Sequence, residues 1–79
     1  MYELKLNAPN GEAKKTIVVD RIAPCNTFVY AYTTISEKMT KFHYIQLTTD
    51  LEISADFHSD NVILTIPNEL IASLSHIKQ

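Results

Sequence analysis

The chain has 79 residues, 46% of them hydrophobic and 20% charged, which fits one globular domain and leaves no room for a second. Surface scaling buries about 63% of the unfolded surface, just enough for a compact core, and the composition argues against a disordered chain. One glycine and three prolines exclude collagen and any glycine-rich phosphate loop, and a net charge of −2 gives no global attraction to nucleic acid or anionic membrane.

Tyr2, Leu4 and Leu6 alternate with Glu3, Lys5 and Asn7, the period of a half-buried strand. Pro9-Asn10-Gly11 supplies turn chemistry, with Gly11 free to take positive φ. Thr16 to Asp20 is the return strand, with Ile17 and Val19 on one face. Ile22-Ala23-Pro24-Cys25-Asn26 breaks the pattern, because Pro24 has no N–H for a ladder. Thr27 to Ile35 follows, with Phe28, Tyr30 and Tyr32 on one face and Val29, Ala31, Thr33 and Ile35 on the other. Neither face is charged, so this reads as the central strand.

A polar connector leads to a strand predicted over Phe42 to Thr48, joined at Thr49-Asp50 to a second over Leu51 to Phe57. A two-residue loop places Phe42 and Tyr44 on the apolar side. A three-residue loop places Ile45 and Leu47 there instead, since a one-residue slip flips every side chain. Either register leaves one apolar pair facing away from the core. His58-Ser59-Asp60-Asn61 is a turn into a strand over Asn61 to Ile66, pairing Phe57 with Val62, Ala55 with Leu64 and Ile53 with Ile66. Pro67 then suits the first turn of a helix, and Leu70, Ile71, Leu74 and Ile77 form one stripe of a helical wheel. Glu69 near its start, and His76 and Lys78 near its end, agree with the helix dipole.

The fold class that results is α+β, mostly β. It is a small antiparallel sheet or open barrel of about six short strands with one C-terminal helix, a single domain over residues 1–79. One short helix covers only part of one sheet face, and the surplus apolar strand surface favours a homo-oligomer. Cys25 has no intramolecular disulfide partner, the alternating residues Met1 to Asn7 are not expected to act as a signal peptide, and no run of 18 apolar residues spans a membrane. A cytoplasmic location, in a cell or a host cell, is expected.

Chemistry-bearing clusters are weak. Asp56, His58 and Asp60 alternate, and His43 faces Asp56 in one register, a set that suits a divalent metal. Solvated surface and turn residues explain the same spacing, so no metal and no cofactor is expected. Cys25 has no third group to orient a base, and a buried structural cysteine is the commoner case. Ser75 and His76 are adjacent on the expected helix, so their side chains diverge. No catalytic residues, and no enzyme, are expected.

Two binding functions remain. The leading one is a small non-enzymatic protein-interaction module, an adaptor, accessory subunit or inhibitor. Its size and composition resemble the accessory proteins of phages and other mobile elements. Its contacts are Ile45 and Leu47 (or Phe42 and Tyr44 in the other register) with the acidic Glu52, Asp56 and Asp60. The alternative is a small barrel that stacks single-stranded nucleic acid on Tyr30 and Tyr32, with Lys14, Lys15 and Lys41 collecting phosphates.

Overall fold

The computed structural model describes residues 1–7, 15–35 and 40–77. The expected Pro9-Asn10-Gly11 turn and the side chains of Lys14, Lys38 and Lys78 lie outside the described residues. Among those described, the order is β1 (Tyr2–Leu6), β2 (Lys15–Val19), β3 (Arg21–Pro24), β4 (Phe28–Thr34), α1 (Lys41–Leu51), β5 (Ser54–His58), β6 (Asn61–Pro67) and β7 (Ile71–His76). The protein is therefore α+β and mostly β.

The strands form two antiparallel sheets, a first in the order β2-β1-β7 and a second in the order β3-β4-β6-β5. Asp20 alone separates β2 from β3, so the chain turns from one sheet into the other at a corner. There the Asp20 N–H donates to the Tyr32 carbonyl at 2.9 Å, and its carboxylate accepts from the Thr34 N–H at 3.0 Å. The core lies between the sheets. Leu4, Leu6, Ile17 and Val19 enter from the first; Val29, Ala31, Val62, Leu64 and Ile66 enter from the second.

The central position of the Thr27 to Ile35 strand holds, with β4 lying between β3 and β6. The pairings of Phe57 with Val62 and Ala55 with Leu64 hold as well. The turn between β5 and β6 places Ser59 at φ 51°, a left-handed conformation that costs a non-glycine residue about 1–2 kcal/mol.

Three expectations are corrected. The segment 42–48 is helical, not a strand, so no hairpin forms at Thr49-Asp50 and His43 does not face Asp56. Tyr44, Leu47 and Leu51, spaced i, i+3 and i+7, are the buried stripe of α1. Thr40 caps its start, accepting from the His43 N–H at 3.2 Å, and Glu52 closes its end at φ 54°. The hydroxyls of Thr48 and Thr49 both donate to the Ile45 carbonyl, which absorbs two β-branched polar residues into the helix.

The C-terminal helix, in turn, is a strand. Pro67 ends β6, a short 3-10 turn covers Asn68–Leu70, and β7 pairs with β1. Leu74 sits opposite the fully buried Leu4 yet stays 41% exposed, because β7 is an edge strand reaching past the core. Finally, Ile22 to Pro24 is a strand after all. β3 lies at a sheet edge, where a proline's missing N–H leaves no ladder bond broken.

Candidate functional site

Residues directly opposite in an antiparallel pair share a face, so the pairings of the second sheet define its outer surface row by row. Thr34, Asn61 and His58 form a polar row at one end. Arg21, Tyr32, Ile63 and Asp56 form the next row, one residue from each strand. Ala23, Tyr30, Thr65 and Ser54 follow, and Phe28 with Pro67 ends the surface. Phe28, Tyr30, Tyr32, Ile63, Thr65 and Pro67 are all half-buried, whereas the opposite side of β4 and β6 is buried. Tyr44, Leu47 and Leu51 of α1 join that opposite, core side.

The aromatic side chains hold one another in place. Phe28 meets Tyr30 edge-on with centroids 4.9 Å apart, and Tyr30 lies 6.4 Å from Tyr32 at a tilt. The Arg21 guanidinium sits over the Tyr32 ring, 4.6 Å from its centroid. Beside this stack a groove of about 540 Å³ opens between the corner and the β5–β6 turn, lined among others by Asp20, Arg21, Tyr32, His58, Asn61 and Ile63. The outer face is thus an aromatic and apolar surface bounded by a cation on β3 and a carboxylate on β5.

The expected site residues do not gather in one place. Tyr30, Tyr32 and Asp56 share the outer face. Ile45 is 44% exposed on α1 beside Phe42 at 66%, on the helix side opposite the buried stripe. Leu47 is only 5% exposed and packs in the core, so it is corrected from a contact to a core residue, as is Tyr44. Glu52 closes the helix, and Asp60 lies in the β5–β6 turn, where its carbonyl accepts from the Ile35 N–H at 2.7 Å.

The cations are also dispersed. Lys15 pairs with Asp50 at 2.7 Å between β2 and α1, an exposed contact worth about 0–1 kcal/mol. Lys41 lies 5.3 Å from the Phe57 ring, which belongs to the core side of β5. Cys25 is exposed rather than buried, with its thiol 3.9 Å from the Ala23 carbonyl. No group of three histidine, cysteine or carboxylate side chains stands close enough to hold a metal among the described residues.

Sequence reasoning finds the aromatic alternation but misses Arg21 and Ile63 as its neighbours. Their membership depends on two strand registers at once, and no local signal marks it. Comparison with known protein families, curated proteins and solved structures returns no match. No helix among the described residues is long and apolar enough to cross a membrane.

Proposed function

We propose that the chain is a small non-enzymatic interaction module, an adaptor, accessory subunit or inhibitor, that engages a protein partner through the outer face of its second sheet. The observation that carries this reading is the row Phe28, Tyr30 and Tyr32, held half-exposed on the side away from α1. Tyrosine and arginine are the residues that dominate binding energy at protein interfaces, because they offer large, rigid and amphipathic contact area. Here they stand together on strands, which position them more firmly than loops would.

Stacking of single-stranded nucleic acid would use the same aromatics, so charge separates the two readings. A strand binder needs cations along the path of the phosphates. Lys15 and Lys41 lie on other surfaces, and among the described residues Arg21 is the cation beside the aromatic row, against the two carboxylates of Asp20 and Asp56. That balance favours a protein partner.

The test places a photo-crosslinking residue at Tyr30, with the same residue at the exposed Thr16 of β2 as control. Discrete protein adducts from the first position and none from the second are expected. Nuclease-sensitive adducts would replace this reading with the strand-binding one, and equal labelling from both positions would end it.

A further inference from the structure

We infer that the partner for this face is a second copy of the chain, seated across a two-fold axis that runs along the strands between β4 and β6. The inference rests on the docking face proposed above and assigns its occupant. Its basis is the row Arg21, Tyr32, Ile63 and Asp56, which spans the sheet from edge to edge. With strands about 4.8 Å apart, the guanidinium-bearing and carboxylate-bearing positions stand about 14 Å apart on opposite rims of one apolar surface. Lys15–Asp50 is the ion pair found among the described residues, so neither Arg21 nor Asp56 has an ionic partner there.

Rotation about an axis parallel to the strands turns the face over and exchanges its edges while each row keeps its height. β3 then lies opposite the partner's β5, and Arg21 opposes the partner's Asp56 twice over. Tyr32 covers the partner's Ile63, and Tyr30 covers the partner's Thr65. The polar row of Thr34, Asn61 and His58 meets its own equivalent, and Phe28 meets the partner's Pro67. An axis running across the strands would set polar row on apolar row and leave Arg21 over the partner's β3. Only the first axis matches both the charge pattern and the polarity gradient. Either axis keeps the strands of the two sheets nearly aligned, the common geometry of stacked sheets, so charge and polarity make the choice.

The stack on Tyr32 suits Arg21 to this role. Planar guanidinium binds an aromatic face with its π surface and still presents N–H donors at its edge to a carboxylate. The contact is isologous and closes at two copies, so it does not propagate into filaments. A face about 14 Å wide lies at the small end of specific interfaces, so dimerisation should depend visibly on concentration. Rim charges of this kind fix register and exclude wrong pairings more than they add affinity.

The experiment is sedimentation equilibrium of the purified full chain over a wide concentration range, for wild type, R21D, D56R and the double variant R21D/D56R. Wild type should dimerise, each single variant should weaken association by about tenfold or more through two like-charge contacts, and the double variant should regain it. D56R keeps the Arg21–Tyr32 stack, so loss of association in that variant cannot come from a disturbed ring. Thermal melts below the dimerisation range verify that each variant is folded. A wild type that stays monomeric overturns the second copy as occupant, while crosslinks from Tyr30 to other proteins would leave the docking face standing. A dimer indifferent to both single variants, or one that the double variant fails to restore, overturns the pairing.

Discussion

The two faces of β4 invert the usual placement of bulk. Val29, Ala31 and Thr33 point into the core, whereas Phe28, Tyr30 and Tyr32 point out. The inner side faces the first sheet across the core, and at its Thr33 end it meets α1. Tyr44 is fully buried there, with its hydroxyl 3.5 Å from that of Thr33. On the outer side the large rings pack against one another and against Arg21. Stability and recognition are therefore divided between the two sides of one strand. The inner side depends on volume brought by another element, and the outer side holds its bulk available.

The largest expected effect tests that division directly. Tyr44→Ala should destabilise the fold by about 3–5 kcal/mol, the range for a large aromatic removed from a core. A chain of this length has a total stability of only about 4–12 kcal/mol. Tyr30→Ala should lose about 1–2 kcal/mol, through its ring contacts with Phe28 and Tyr32. Urea denaturation at concentrations where the chain is monomeric compares the two. Equal losses would make the outer row structural and remove the distinction between the faces.

The legible parts of the fold are those whose pattern is local. Val62, Leu64 and Ile66 alternate cleanly, and the short turn before them fixes the pairings of Phe57 with Val62 and Ala55 with Leu64. The two segments that exchange roles satisfy both periods. In Lys41–Leu51, Phe42 and Tyr44 read as one side of a strand, and Tyr44, Leu47 and Leu51 read equally as one side of a helix. What separates the two readings is burial: Tyr44, Leu47 and Leu51 enter the core together, with Tyr44 against Thr33 of the preceding strand β4, and no local period records that packing. In Ile71–His76, Ile71 and Leu74 suit a helical stripe, but β1 has an open edge that a strand satisfies. Of the candidate site, Tyr30, Tyr32 and Asp56 are readable one by one. Their assembly with Arg21 and Ile63 is not, because it follows from three strand pairings taken together.

A smaller effect follows from the phenol on the inner face. Burial pushes the Tyr44 phenol above its ordinary value, with Asp20 adding to the shift and the hydrogen bond with Thr33 opposing it. The neutral form is thus favoured in the folded state, and the unfolded chain releases the proton first. This contribution to stability is complete below about pH 10 and declines as pH rises towards the folded value. Tyr44→Phe should flatten that alkaline decline. At neutral pH the same variant should lose about 0.5–1.5 kcal/mol with the bond to Thr33. Melting curves of the two proteins at a series of alkaline pH values measure both effects, and parallel declines would place the titrating group elsewhere.

The smallest effect belongs to the outer face and sharpens the comparison from the other side. Arg21→Ala removes a guanidinium held over Tyr32 at an exposed edge, a contact worth about 0.5–1 kcal/mol. For a domain of this size that corresponds to a fall in melting temperature of about 2–8 °C. The measurement is made on the monomer, so that any loss of association does not add to it. A shift within that range means that Arg21 stiffens the aromatic row without holding the fold, which leaves the charge free to act on a partner. A loss as large as that of Tyr44→Ala would mean that the corner at Asp20 and Arg21 supports the joining of the two sheets. The outer row would then owe its position to folding, and the division between the faces of β4 would have to be redrawn at that corner.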